Sequence, residues 1–236
     1  MWPFTKKSTL QRQGILSGFT DWHCHILPGV DDGVKKMQDA LDILDDYARL
    51  GVERVWFTPH IMEDIPNTTA HLRQRFDELQ EAYNGPLELN LAAENMLDNL
   101  FDERLNSNDL LPIGPEKRHL LVETSYYTPP YDLISILNRI KKAGYFPLLA
   151  HPERYGYMTD KDYDQLHEMG VLMQLNLTSL AGLYGPEPQN KAKKLLAKGY
   201  YHASGTDLHR RRTLVPAISA SIPASAIEKV PTPSTL

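Results

Sequence analysis

Apolar runs of strand length recur along the chain, and one after another stops at a histidine or a carboxylate. The first, Phe19-Thr-Asp-Trp-His-Cys-His25, leads into the polar, turn-rich Ile26-Leu-Pro-Gly-Val-Asp-Asp-Gly33. Val52-Glu-Arg-Val-Trp-Phe-Thr-Pro-His60, Leu87-Glu-Leu-Asn-Leu-Ala-Ala-Glu94, His119-Leu-Leu-Val-Glu123 and Phe146-Pro-Leu-Leu-Ala-His151 repeat the pattern. A last run, Tyr200-Tyr-His-Ala-Ser-Gly-Thr-Asp-Leu-His209, carries both Asp207 and His209. Residues i and i+2 of a strand point the same way, so His23 and His25 share one side and Cys24 takes the other.

Between these runs the spacing turns helical. Met37, Ala40, Leu41, Leu44, Tyr47 and Ala48 form one face of a helix over 37–50, stopped by Gly51 as a left-handed cap. A second helix is expected over 70–83, with Leu72, Phe76, Leu79 and Tyr83 on one side and Asn84-Gly-Pro as terminator. Residues 96–105 read as a short helix or irregular turn. Helices over 132–143, 160–169 and 191–198 end at Gly144, Gly170 and Gly199, the last after a loop holding Gly182, Gly185, Pro186 and Pro188. Residues 171–177 alternate as a strand.

About seven strand–helix repeats favour a parallel sheet. Every candidate ligand then lies at the carboxyl end of its strand, where (β/α) barrels build their active sites. His71 and His167 sit on helices and read as structural or solvated. Residues 1–18 form an N-terminal extension with a solvated head, residues 19–214 the main domain, and residues 215–236 a tail rich in Pro, Ala and Ser, with at most one short helix and then a disordered end.

Composition narrows the partners. At 236 residues with 42% hydrophobic side chains, the chain suits one domain with a sizeable core. A formal charge of -5 gives no broad basic surface for nucleic acid. No segment approaches 18 uninterrupted apolar residues, which argues against stable membrane insertion. The single cysteine, Cys24, excludes an intrachain disulfide and fits a reducing, cytoplasmic location.

An isolated His-x-His pair is weak evidence of a metal site. The recurrence strengthens it: that many imidazoles and carboxylates on one rim exceed what a single tetrahedral zinc needs. Two or three cations held by mixed nitrogen and oxygen ligands are expected, suited to Mn²⁺, Zn²⁺, Fe²⁺ or Mg²⁺, with Glu123 chosen to bridge. Clustered cations acidify water and clamp phosphoryl oxygens, so phosphate-ester hydrolysis is the simplest reaction. Arg154, three residues after His151, is placed to contact the non-bridging oxygens. Cys24 lacks the arginine six positions later that a cysteine-dependent phosphatase needs, that position being Val30, and reads as a packing residue. Tyr126, Tyr127, Tyr131 and Tyr155 lie near the rim, where they could flank an aromatic substrate or pack the core.

Taken in order, His23-x-His25, Val30-Asp-Asp-Gly33, Thr58-Pro-His60, Glu94, Glu123-Thr-Ser125, His151-Pro-Glu-Arg-Tyr155 and Gly205-Thr-Asp-Leu-His209 resemble the PHP (polymerase and histidinol phosphatase) superfamily. More narrowly, they resemble the manganese-dependent bacterial protein-tyrosine phosphatases of capsule and exopolysaccharide operons. The resemblance spans roughly residues 19 to 212. It implies a distorted (β/α)7 TIM-like barrel with a trinuclear Mn²⁺ site. His23, His25, Glu94, Glu123 and His151 would hold the inner pair with Asp207 near it, and Asp32, His60 and His209 the third ion, Asp31 being the less favoured neighbour. Arg154 matches the family's phosphate-binding arginine, and Arg154, Asp207 and His151 are the residues expected to carry catalysis. The implied substrate is the phosphotyrosine tail of an autophosphorylating tyrosine kinase that controls polysaccharide assembly.

The chain departs from the family after His60, where arginines are common and Ile61-Met-Glu-Asp64 stands instead. Arg210, Arg211 or Arg212 could supply that charge. Two other functions remain open at this stage: a phosphatase for a small metabolite such as histidinol phosphate, and a catalytically silent metal-binding module that docks a polymerase or kinase.

Overall fold

The computed structural model describes residues 6–232 and 236; residues 1–5, most of the head expected to be solvated, lie outside the described residues. In chain order the first elements are β1 (Lys7–Ser8), β2 (Phe19–Cys24), α1 (Met37–Leu50), β3 (Val52–Phe57), β4 (His60–Ile61), α2 (Thr69–Ala82), β5 (Glu88–Leu91), β6 (Glu94–Met96) and α3 (Asn99–Ser107). There follow β7 (His119–Glu123), α4 (Leu133–Lys142), β8 (Phe146–Ala150), α5 (Asp160–Glu168), β9 (Leu172–Asn176), α6 (Leu177–Leu180), α7 (Pro186–Lys198), β10 (Ala203–Gly205), α8 (Leu214–Ser219), β11 (Ile222–Pro223) and α9 (Ala224–Ile227).

Parallel pairing orders one sheet as β10-β9-β8-β7-β6-β4 and another as β2-β3-β5. The two sheets meet through backbone bonds where strands break and resume. Ala92 N–H donates to the Phe57 carbonyl at 2.9 Å and Glu94 N–H to that of Pro59 at 3.1 Å. At the other edge Asp207 N–H donates to the His23 carbonyl at 2.7 Å, and His25 N–H to that of Leu208 at 3.0 Å. The result is a curled sheet whose strand exits converge, in a mixed α/β fold.

Strands buried on both faces read as unbroken apolar runs, as β7 and β8 do. Alternation sorts their side chains. Trp22, Trp56, Leu121, Leu148, Ala150 and Ala203 form a small cluster inside the curl, where the Trp22 and Trp56 rings stack at 5.8 Å. Val55, Phe57, Leu120, Val122 and Leu149 belong to the larger core that the helices cover. On α1 that cover is Ala40, Ile43, Leu44 and Tyr47, and Gly51 caps it at φ 88°. The register of β2 against β3 shifts between Asp21 and Cys24, just where the histidines begin.

Three boundaries differ from the sequence reading. The strand expected from Leu87 to Ala93 stops at Leu91, and pairing resumes as β6 at Glu94. The helix expected over 191–198 starts at Pro186, because proline at a first helical turn gives up no needed hydrogen bond. Residues 96–105, expected as a short helix or irregular turn, hold the last residue of β6 and then α3, whose N-cap Asp98 accepts from Phe101 N–H at 3.0 Å.

The tail is a clear correction. Over residues 214–232, in place of one short helix and disorder, there are α8, β11 and α9, with β11 paired antiparallel to β1; residues 233–235, part of the end expected to be disordered, lie outside the described residues. Ile218, Ile222, Ile227 and Val230 are buried, and α9 packs on α7 and β1. Each such side chain contributes about 1.5–3 kcal/mol when fully buried, enough to offset ordering of a short segment. The Pro and Ser content concealed this apolar spacing. Leu10 and Leu16 of the N-terminal extension are buried too.

Candidate metal centre

Most of the expected ligands stand at or just after the end of a parallel strand; His60 and Glu94 instead begin short strands, and Asp32 lies in the loop after β2. His23 and His25 straddle the end of β2, and Cys24 points away into the core, its Sγ 3.5 Å from the Trp56 carbonyl oxygen. His60 opens β4, Glu94 opens β6, Glu123 closes β7, His151 follows β8, and Asp207 and His209 follow β10. All nine come together in four overlapping groups: His25, Asp32, His60 and His209; His23, His25 and Asp207; His23, Glu94 and His151; His60, Glu94 and Glu123.

Glu94 is the hub. Its Oε2 lies 3.1 Å from His23 Nε2, 3.2 Å from His25 Nε2 and 3.1 Å from His60 Nδ1, while Oε1 is 2.9 Å from His151 Nε2. Glu123, to which the sequence reading gave the bridging place, belongs to one group only, with Oε1 3.0 Å from His60 Nδ1. The rings of His25 and His209 stack at 4.0 Å.

The histidines are aimed from behind. His23 Nδ1 is 2.9 Å from Gln174 Oε1, and His25 Nδ1 is 2.8 Å from Asp31 Oδ2. Each ring therefore donates through Nδ1 and turns a free Nε2 inward, as orienting partners of metal-binding histidines do. Asp31 is further occupied by the Gly33 and His60 N–H groups at 2.9 and 3.1 Å. Asp32 is the neighbour that faces the outer group, 3.6 Å from His60 Nε2 and 3.4 Å from His209 Nε2, with its side chain 64% exposed.

Electrostatics show what these atoms lack. Burial opposes charge on both sides of the cluster, yet the carboxylates of Glu94 and Asp207 lift His23 to about 9. Burial alone would raise Glu94, but His23 and His60 hold it well below the usual carboxylate range. Glu94 Oε2, Glu123 Oε1 and His60 Nδ1 are buried and face one another at 3.0–3.1 Å in a single group without forming well-aligned hydrogen bonds. Unpartnered buried acceptors cost about 1–3 kcal/mol each. A mixed imidazole and carboxylate set with a deficit of positive charge fits divalent cations.

On the flank, the short turn Pro152–Arg154 carries Arg154 back over the site, its Nη1 donating to Asp207 Oδ2 at 2.8 Å. The guanidinium lies between two ring faces, Tyr126 and Tyr184, each 4.2 Å away. His151 and Asp207 adopt left-handed backbone at φ 32° and 51°, strain that non-glycine residues sustain where the surroundings fix it. Glu153, fully buried, accepts from Asn176 N–H at 3.0 Å and Tyr201 OH at 2.8 Å, anchoring the turn to β9.

Of the tyrosines expected at the rim, only Tyr126 flanks the site. Tyr127 and Tyr131 point to solvent at 87% and 105% exposure, and Tyr155 is buried with its hydroxyl on the Ala150 carbonyl. Sequence reasoning missed Gln174, Asn176 and Tyr184. Asn176 Nδ2 donates to Asp207 Oδ2 at 2.6 Å. A glutamine inside, and an asparagine ending, an otherwise apolar strand were the available signal.

The family model described as "Capsular polysaccharide synthesis, CpsB/CapC" matches residues 19–230. The chain belongs to the CpsB/CapC family. Among relatives of this CpsB/CapC chain, tyrosine-protein phosphatase YwqE of Bacillus subtilis (strain 168) is 27% identical over 199 residues, 82% of this chain and 78% of that protein. Tyrosine-protein phosphatase CpsB of Streptococcus pneumoniae is 26% identical over 208 residues, 80% and 82%. A solved chain from the crystal structures of YwqE from Bacillus subtilis and CpsB from Streptococcus pneumoniae, described as unique metal-dependent tyrosine phosphatases, superposes with a TM-score of 0.76 at 26% identity, covering 83% of this chain and 81% of the other. No helix among the described residues is long and apolar enough to cross a membrane.

Proposed function

We propose that this CpsB/CapC chain is a metal-dependent protein-tyrosine phosphatase. The observation that carries the reading is the convergence of nine imidazole and carboxylate side chains beside an arginine clamped between two rings. We assign His23, His25, Glu94, Glu123, His151 and Asp207 to an inner pair of ions, and Asp32, His60 and His209 to an outer one. Mn²⁺, expected from the family resemblance, is the ion we assign. Bound there, divalent cations would supply water acidified to neutral pH and positive charge for the phosphoryl oxygens.

The chain's own residues do the rest. One N–H of Arg154 is engaged by Asp207, which leaves further donors and the fixed charge for the non-bridging oxygens. Tyr126 and Tyr184 hold that guanidinium in place. Asp207 Oδ2 accepts from Arg154 and Asn176, while Oδ1 faces His23, His25 and His209. Burial would raise this carboxyl, but His23 and His25 hold it well below the usual range, so it stays an anion and donates no proton. The leaving group needs none: a phenol, with a pKa of about 10, departs far more readily than an alkyl alcohol.

The substrate we assign is phosphotyrosine in protein, on the tail of an autophosphorylating kinase governing polysaccharide assembly. The names of the relatives and the exposure of Asp32 at the outer group support access by a chain. The buried free Cys24 suits a cytoplasmic location. We also read the curled sheet as a distorted (β/α)7 barrel in which β3 with β4, and β5 with β6, are halves of broken strands; the Asp207–His23 and His25–Leu208 bonds support closure.

The test offers chelated and Mn²⁺-reloaded protein a phosphotyrosine peptide and histidinol phosphate, beside His151→Ala. Metal-requiring peptide turnover that disappears in the variant supports the reading. Turnover of histidinol phosphate alone would replace the substrate, and turnover of neither would leave a metal-binding module without catalysis.

A further inference from the structure

Next to the outer group lies a cavity of about 320 Å³ that Arg154 does not line. Its wall runs from His209 through Arg210, Arg211 and Arg212 to Lys35 and Asp39. Four cations thus meet one carboxylate, in a chain whose formal charge is -5. Two of the four are engaged elsewhere. Arg211 pairs with Asp42 at 3.0 Å and Asp46 at 2.6 Å, and Lys35 donates to the Asp31 carbonyl. Arg210 and Arg212 are exposed and have no carboxylate within ion-pair distance among the described residues.

Two adjacent like charges repel, and an anion between them relieves the repulsion. The opposite flank of the outer group has the other sign: past His60, Glu63 and Asp64 are exposed. An acidic substrate chain is therefore repelled on the His60 side and attracted on the His209 side. His209 belongs both to the outer group and to the cavity wall, so the two spaces adjoin. An extended chain advances ~3.3 Å per residue, which puts the cavity within reach of side chains a few positions from the reacting one.

We infer that this cavity is a subsite for a second anionic group of the substrate chain, a carboxylate or a second phosphate within a few residues of the phosphotyrosine, held by Arg210 and Arg212. The inference rests on the phosphotyrosine reading above. It makes the preferred substrate an acidic or multiply phosphorylated segment.

The experiment measures kcat/KM of the Mn²⁺-loaded protein for free phosphotyrosine and for phosphotyrosine peptides whose flanks are alanine, glutamate or a second phosphotyrosine. The same series is run on Arg210→Ser with Arg212→Ser, and on Arg210→Glu with Arg212→Glu. An anionic flank should raise kcat/KM about fivefold in the wild type, through KM, which is what two partly exposed charge contacts support. The serine variant should lose that preference and the glutamate variant reverse it, each flank effect being taken as a ratio to the same protein's kcat/KM for the alanine-flanked peptide. The glutamate and second-phosphate arms show which anion the cavity takes. Equal flank preference in all three proteins, or none in the wild type, overturns the subsite while leaving the phosphatase. Failure to hydrolyse any of the phosphotyrosine peptides, with or without an anionic flank, instead overturns the parent reading, and the subsite with it.

Discussion

Two layers of side chains lie against each other at the strand exits, and they are built on opposite rules. Inside the curl, Trp22, Trp56, Leu121, Leu148 and Ala150 are buried and apolar but for the two indole N–H groups, which also lack partners, so it is the gathered imidazoles and carboxylates of the other layer that set it apart. Within one to four residues along the same strands stand His23, His60, Glu123 and His151, equally buried, strained at His151, and short of hydrogen-bond partners at Glu94, Glu123 and His60. The first layer contributes stability. The second costs stability unless cations are present, and that difference marks it as the functional one.

The largest effects should separate the layers. Glu94→Gln removes the hub's charge and should lower kcat by about 10³-fold, with little loss of melting temperature in the metal-free protein above pH 9, where the His23 proton that Glu94 holds is gone. Trp56→Ala should do the reverse, costing about 3–5 kcal/mol in denaturant unfolding while folded protein keeps most of its turnover per bound metal. If both variants lost activity and stability in parallel, the division into layers would be wrong.

Arg154→Lys comes next. It keeps the charge but loses the planar fork and much of the ring contact, and should cost about 10²-fold in kcat/KM. A change under twofold would remove Arg154 from the mechanism.

Gln174→Ala tests the orienting partners that were hard to see in the sequence. Freed from Gln174, His23 should bind its cation about tenfold more weakly, measured by competition with a chelating dye. Unchanged affinity would make Gln174 a packing residue.

The candidate ligands other than Asp32, which came from the family resemblance, were legible because each lies at the end of an apolar run, and a parallel sheet sends all such ends to one side. Their partners were not. Gln174 sits mid-strand among apolar neighbours, and Tyr184 lies in the loop before α7, where nothing in the local pattern points toward Arg154. The choice between Asp31 and Asp32 depends on which one the turn to Gly33 rotates onto His25, a tertiary matter. The C-terminal segment was misread because Pro and Ser outweighed Ile218, Ile222, Ile227 and Val230, which become meaningful only once the surface that buries them exists.

The smallest effect is the pH dependence. Without metal, His23 is lifted from its ordinary 6.5 to about 9, so its protonated form stabilises the fold fully below about 6.5, and that contribution is lost as pH rises through 9. With metal the ring is already neutral, and no such loss occurs. The gap in melting temperature between loaded and stripped protein should therefore widen from pH 6 to pH 9. A constant or narrowing gap would mean that proton and metal do not compete at His23.

The most direct measurement is the number of Mn²⁺ ions that remain bound after equilibrium dialysis of the purified protein, taken beside Glu94→Gln. Two or three ions per chain in the wild type, with at least one lost in the variant, is the result this account predicts. No retained ion in the wild type, or an unchanged number without Glu94, would contradict it.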